Sequence, residues 1–476
     1  MTDFALKQAE ITMPAHLRTE SDRHTDRPLY WLGVMVFILL AAPKMRIMIG
    51  PAPLYIIDGL IFLLLLSAWK MPAVKRSSSN HLPALVFCYL MFIYIGELRG
   101  LVIYQALFKS IYMMGVFSLG VSVFFIVPKL VRDTEAMTVV LKAIVIGLLC
   151  TSTITIMYSL SLTRPLVMKT MFSYDFLVPS AESLARRTLV YGGVVEAMRG
   201  NSLIGTSTIT TGFLGTVWAF ACLAANWPGI VGAWRIIANI VSIATPVAIL
   251  MTYGRAAWLT VIVIGTMFLF FGFVKSRRNT LILSLCLLMV AIQFGWKSNL
   301  FMVERVVKKT RLTLENPFKD ESFVPRLLSF TQPFSHVWRH PSWLIAGAGR
   351  VGHKISAQGN RVIQLRELAG LSKHSGFGMA YYCYGMAAAI IHALLMFNGL
   401  RLILRRLRRP PLKEMPLYKI TWQAFLMAWC GLFFWWLPGH AMVGEARGVI
   451  LFFFFYGFMM ACDRIFTVQE NETIKQ

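Results

Sequence analysis

The strongest constraint on this chain is a series of apolar stretches from Tyr30 to Cys462. Most run close to the ~20 residues that a helix needs to cross the hydrocarbon of a bilayer. In lipid every backbone N–H and C=O must be satisfied within the protein, so runs of this kind fold as helices packed on one another. Length alone would suggest about three soluble domains of ~150 residues, but the apolar runs overrule it. Of 476 residues, 57% are hydrophobic and 14% charged, where a soluble chain averages roughly 45–50% and about 25%. A soluble enzyme, a nucleic-acid binder and a secreted disulfide scaffold are excluded. The expected fold class is an all-α polytopic membrane protein.

About 12 spans are expected, at 30–48, 54–69, 85–96, 101–127, 137–160, 203–227, 230–253, 256–274, 281–296, 379–400, 420–437 and 449–462. No internal repeat stands out. The seven cysteines lie singly within or at the ends of apolar stretches, and read as small core hydrophobes with no metal-ligand spacing. Residues 1–28 are polar and of both signs; they are expected to form a disordered cytoplasmic tail, not a signal peptide.

Orientation follows from 47 Lys and Arg set against 22 Asp and Glu, a formal net charge of +25. Basic clusters follow the second, fourth, eighth and tenth spans: Lys70, Lys75 and Arg76; Lys129 and Arg132; Lys275, Arg277 and Arg278; then Arg401, Arg405, Arg406, Arg408, Arg409, Lys413 and Lys419; only the tight turn at 226–228, after the sixth, carries none. Cytoplasmic loops carry such an excess, which places both termini inside. The expected layout is the tail at 1–28, helices 1–9 over 29–296 with an outer loop at 161–202, a large outer loop at 297–373, helices 10–12 over 374–462, and a cytoplasmic tail at 463–476. The 297–373 loop is expected to contain helices. It is strongly basic, with only Glu304, Glu315, Asp320, Glu321 and Glu367 as acids. Such a surface attracts anionic headgroups, phosphorylated lipid carriers or acidic glycans.

Four segments meet on the outer side in this topology. Tyr253-Gly254-Arg255-Ala256-Ala257-Trp258-Leu259 joins two spans with almost no loop. It holds Arg255 near the interface, as a headgroup anchor or as the lining of a wet cavity. Met198-Arg199-Gly200-Asn201-Ser202 precedes a span whose outer end is rich in Gly, Ser and Thr (202–212). Arg199 either pairs with Glu196 or faces a ligand, and the small-residue face either packs on a helix or lines a cleft. His340-Pro341-Ser342-Trp343-Leu344-Ile345-Ala346-Gly347-Ala348-Gly349-Arg350 allows a tight turn presenting Arg350 and backbone N–H groups. Lys373-His374-Ser375-Gly376 opens a span and places an imidazole where a general base suits both lipid-borne and water-borne substrates. Asp58 and Lys109 are intramembrane ionisable residues, either a structural ion pair or part of a conduit. Walker A, H-E-x-x-H, G-x-S-x-G, C-x-x-C and Asp-rich metal motifs are missing, and sparse outer carboxylates argue against a dedicated divalent-metal site.

In order and context over roughly 203–386, these segments resemble the O-antigen ligase and O-antigen/exopolysaccharide polymerase superfamily of bacterial inner membranes. The Arg199-Gly200-Asn201 run, the Arg255-to-Leu259 segment, Arg326 followed by His340-Pro341 and Gly347-Ala348-Gly349, and His374 carry the resemblance. The family often has Asn after that His, where this chain has Ser375. The resemblance implies a metal-independent glycosyltransferase without a cofactor, acting in the periplasm on an undecaprenyl-pyrophosphate-linked glycan donor. His374 would be the base. Arg255 and Arg199 would hold the pyrophosphate, and Arg350, Arg326 and Asn201 would assist in binding. The expected function is polymerisation of repeat units. The alternatives are a ligase using a lipid A-core acceptor and, in another class, a transporter or flippase of the lipid-linked glycan. Membrane lipid and a chain-length regulator protein are the further partners implied, and nucleic acid is not one.

Overall fold

The structure, a computed structural model, describes residues 20–49, 52–71, 81–105, 107–159, 202–204, 207–270, 304, 307–308, 310–319, 323–350, 375–408, 416–437 and 446–475. Helix α1 (Glu20–Ala41) stops just short of Pro43, because a residue preceding proline is pushed out of the α region. The chain then makes a short antiparallel hairpin, β1 (Arg46–Ile49) with β2 (Ala52–Tyr55), Ile47 opposite Leu54. The expected span at 30–48 is corrected accordingly: its last residues are strand, not helix.

Helices α2 (Ile56–Trp69), α3 (Leu82–Tyr104), α4 (Leu107–Leu130), α5 (Thr134–Ser159), α6 (Ser207–Asn226), α7 (Ala233–Leu250) and α8 (Arg255–Phe270) follow. After them come α9 (Val324–Arg339), α10 (Gly376–Tyr384), α11 (Met386–Arg408), α12 (Pro416–Trp436) and α13 (Ala446–Lys475). Among the described residues, seven helices have the length and apolar composition of a membrane crossing. The span expected at 281–296 lies outside the described residues. The span expected at 379–400 is two helices. Gly385 takes φ +94°, and a Cβ there would meet Ala346 and Ile345 at about 3 Å, so the chain turns between α10 and α11 at the one residue type that tolerates both.

Helix α6 sits at the centre, packed on α5, α7 and α12, and is buried almost all round. Small residues permit the close approach that helix packing in lipid relies on. A Cβ on Gly431 of α12 would strike the Gly215 carbonyl of α6. Helix α13 packs along α4, where Gly457 lies against the carbonyls of Val123 and Phe124.

Side-chain links join the helix ends at each end of the bundle. At the basic end Lys129 Nζ donates to Ala68 O (3.1 Å), and Arg464 donates to the carbonyls of Pro128 and Val131 (2.8 Å each). The buried Arg406 pairs with Asp463 and donates to Thr467 Oγ1 at 3.1 Å. At the opposite end Arg447, opening α13, pairs with Asp58 near the start of α2. The helices that the basic clusters assign to one side thus terminate together.

Candidate functional site

A cavity of about 930 Å³ opens at the end of the bundle away from those basic clusters, between α6, α8, the end of α12 and the segment 307–326. Its position follows from the bend between α7 and α8. Thr252 and Tyr253 take up that bend, with Tyr253 at φ +50°. A bulky residue there costs of order 1–3 kcal/mol and persists only where its surroundings enforce it. The bend delivers Arg255 as the first residue of α8, half-buried in the cavity wall, with Nη1 donating to the Thr313 hydroxyl across the opening. Arg326, in the first turn of α9, lines the same cavity, as does Arg311, which pairs with Glu315 at 2.6 Å.

The small hydroxylated run of α6 supplies the polar floor: Ser207, Thr208, Thr211 and Gly212 line it. Thr211 Oγ1 shares a 2.7 Å hydrogen bond with Thr252 Oγ1, so the floor is tied to the bend that carries Arg255. Both readings of this run hold, on different positions. Ser207 and Thr208 face the cavity, whereas a Cβ on Gly212 would run into the Trp435 indole and one on Gly215 would meet Thr260 at 2.8 Å. The apolar wall includes Leu259 and Ile262, and both are exposed on the flank of α8.

Beyond the cavity, α9 leads into a segment clasped onto α3. Arg99 lies over the Trp343 ring at 5.1 Å and donates to Ala346 O, Ser342 O and Ser342 Oγ. Gly347-Ala348-Gly349 then threads between Gly100 of α3 and the end of α10. A Cβ on Gly100 would sit 2.7 Å from Ala348 O, one on Gly347 would collide with the Tyr382 carbonyl, and Gly349 has φ +73°. Two N–H groups of this turn are engaged within the protein: Ala348 N donates to Tyr382 O (2.8 Å) and Arg350 N to the buried Glu97 carboxylate (2.6 Å). For these two N–H groups the expectation of presentation to a ligand is therefore corrected. Arg350 sits beside Glu97 and does not line the cavity.

At the C-terminal end of α9 lies a cluster centred on His336, a residue that sequence reasoning did not single out. The rings of His336 and His340 are 4.7 Å apart, Trp343 meets His336 edge-on at 4.9 Å, and His336 Nδ1 and the Tyr381 hydroxyl share a 2.5 Å hydrogen bond. Burial, then the charges of His340, Arg339 and Arg99, hold the His336 imidazole below its ordinary pKa. The available signal was two histidines four apart, hence on one helix face, with Arg339 between them and no acid from 324 to 350.

Of the expected site residues, the structure brings Arg255 and Arg326 together at one cavity and sets Arg350 apart at Glu97. His374, Arg199 and Asn201 lie outside the described residues. Ser375, which follows His374, caps α10 by accepting a hydrogen bond from Gly378 N (2.9 Å). No protein-family model, curated protein or solved structure matches this chain significantly.

Proposed function

We propose that this protein is a glycosyltransferase of the bacterial inner membrane that polymerises undecaprenyl-pyrophosphate-linked repeat units at its periplasmic face. In this reading the chain crosses the membrane about twelve times and both termini are cytoplasmic. One observation carries the proposal: Arg255, assigned to the pyrophosphate from sequence, and Arg326, assigned an assisting role in binding, line a single cavity with a hydroxyl floor and an apolar wall. The cavity's size, about 930 Å³, suits a substantial ligand, since binding pockets run ~300–1,000 Å³. The wall continues onto the exposed flank of α8 through Leu259 and Ile262, as a ligand with a long apolar tail requires.

The chemistry is a single displacement. A hydroxyl oxygen of the acceptor sugar attacks the anomeric carbon of the donor while the bond to the pyrophosphate oxygen breaks, with inversion. His374 takes the hydroxyl proton. The lipid pyrophosphate leaves as an anion, and its developing charge is met by Arg255, Arg326 and Arg199. Guanidinium forks suit phosphate oxygens and stay charged at any working pH. Each preorganised donor is worth about 3 kcal/mol of barrier. Arg350, held at Glu97, anchors the outer segment in this scheme.

The test is transfer by purified protein in nanodiscs supplied with a lipid-pyrophosphate-linked repeat unit, with and without chelator, wild type beside His374→Ala. A glycan ladder that survives chelation and disappears in the variant is expected. Transfer only to an added lipid A-core acceptor would make the protein a ligase. Lipid crossing the bilayer without any transfer would make it a transporter.

A further inference from the structure

The cluster on the far half of α9 lies outside the cavity and the mechanism leaves it unused. Its charge balance is one-sided. From 324 to 350 and from 375 to 408 the chain contains no Asp or Glu, so α9, the turn after it, α10 and α11 bring only cations and neutral groups to this place. Among the described residues no carboxylate pairs with His336, Arg339 or His340. Among the described residues, the groups around His336 are Tyr381 from α10, Trp343 from the turn, and Arg99 from α3, and the ring that meets His340 is that of His336. Glu97, the acid of α3 on this side, is buried and accepts the Arg350 N–H. Arg339 and His340 are exposed and His336 half-buried, so the cluster is accessible. Tyr381 and Trp343 are buried and fix the position of the His336 ring.

We infer that His336, Arg339 and His340 form a second binding site for a phosphate-bearing ligand, distinct from the cavity of Arg255 and Arg326. Two imidazoles and a guanidinium on adjacent turns offer the donors a phosphate group accepts. The place of the site says which phosphate. Ten residues of helix separate Arg326 from His336, about 15 Å at ~1.5 Å per residue. The inference rests on the polymerase reading, in which both substrates carry a lipid pyrophosphate. The donor's must lie at the reacting carbon. The acceptor reacts through a sugar hydroxyl at its far end, so its own pyrophosphate must be held a repeat unit away. The cluster on α9 is assigned to the acceptor's pyrophosphate. Binding favours a protonated His336 imidazole, which burial and the charges of His340, Arg339 and Arg99 oppose when no anion is present, so affinity rises as pH falls.

Calorimetric titration of inorganic pyrophosphate into the full-length protein in phosphatidylcholine nanodiscs tests the site. Two binding components are expected. Arg255→Ala should remove one; the other should weaken by about tenfold between about pH 5.5 and pH 7.5, across the range in which histidine loses its charge. His336→Gln with His340→Gln should remove that second component and leave the first. A single pH-insensitive component in the wild type, or unchanged binding in the double variant, overturns the site. Arg339→Gln alone, which alters an exposed side chain and leaves the Tyr381 contact intact, should weaken the same component and guards against misfolding of the double variant. Repeating the titration with phosphatidylglycerol in the disc distinguishes the sources of phosphate. If the second component persists, the acceptor assignment stands; if it is competed away, the ligand is a headgroup and the assignment falls. Loss of the polymerase reading would show as absent transfer with both components intact.

Discussion

Arg447 holds Asp58 with both terminal nitrogens, one hydrogen bond to each carboxylate oxygen and Nη2–Oδ2 at 3.0 Å, across 389 positions of sequence. Both side chains are about 5% exposed, and the guanidinium also lies 3.9 Å from the Tyr55 ring centre. Asp58 stood out in the sequence as an intramembrane acid. Its partner is the first cation of α13, and the pair pins the start of the last helix to the start of the second. The side chain of Lys109 lies outside the described residues.

Breaking a buried pair from one side strands a charge, which costs about 3–5 kcal/mol, whereas replacing both partners by apolar residues is often neutral. Arg447→Met should therefore lower the thermal midpoint in detergent sharply, and Asp58→Leu combined with Arg447→Met should recover most of the loss. A double variant as unstable as the single would show that the pair is more than a structural tie.

Arg255→Lys keeps the charge and loses the fork. Transfer should fall about 100-fold, the scale on which one preorganised donor matters, and Thr313→Ala, which removes the hydroxyl that receives Nη1, should cost much less. Turnover and donor affinity unchanged in Arg255→Lys would make the residue an interfacial anchor.

Gly347→Ala introduces a methyl group into the Tyr382 carbonyl. Overpacking of this kind costs about 1–3 kcal/mol, and here it should unseat the segment from Arg99 and Glu97. Faster limited proteolysis between 340 and 350 with the bundle's helical content unchanged is the expected result. Wild-type protease resistance would mean that the clasp tolerates displacement.

Sidedness has a direct check. In a cysteine-free background a thiol at the exposed Ser342 should react with an impermeant maleimide in intact spheroplasts, and one at the exposed Arg408 only after lysis. The reverse pattern would invert the topology and remove the periplasmic mechanism.

Much of the helical layout was legible because apolar length is nearly sufficient to specify a helix in lipid. The boundaries that escaped depended on single residues acting at a distance. Pro43 ends α1 early, an effect local enough to have been read. Gly385 breaks the tenth expected span because Ile345 and Ala346 occupy the space of a side chain, and no window of hydropathy contains that fact. The same contrast holds at the site. Arg255 and Arg326 were found because a cation at a span end or in a sparse motif is locally conspicuous. Arg99 and Glu97 fall inside an apolar helix whose role is to receive a loop some 250 positions later, and only the fold pairs them.

The break at Gly385 bears on bilayer thickness. Continued straight, α10 and α11 would form one rod of roughly 50 Å at ~1.5 Å per residue, well beyond the ~30 Å of hydrocarbon it would have to match. Divided at Gly385, the 23 residues of α11 suffice to cross, and α10 packs with α9. Changes in lipid chain length are ordinarily absorbed by helix tilt. Here they would be felt at the joint between α11 and the pair α9 and α10, so the protein's response to thinner or thicker membranes is set where α10 meets α11.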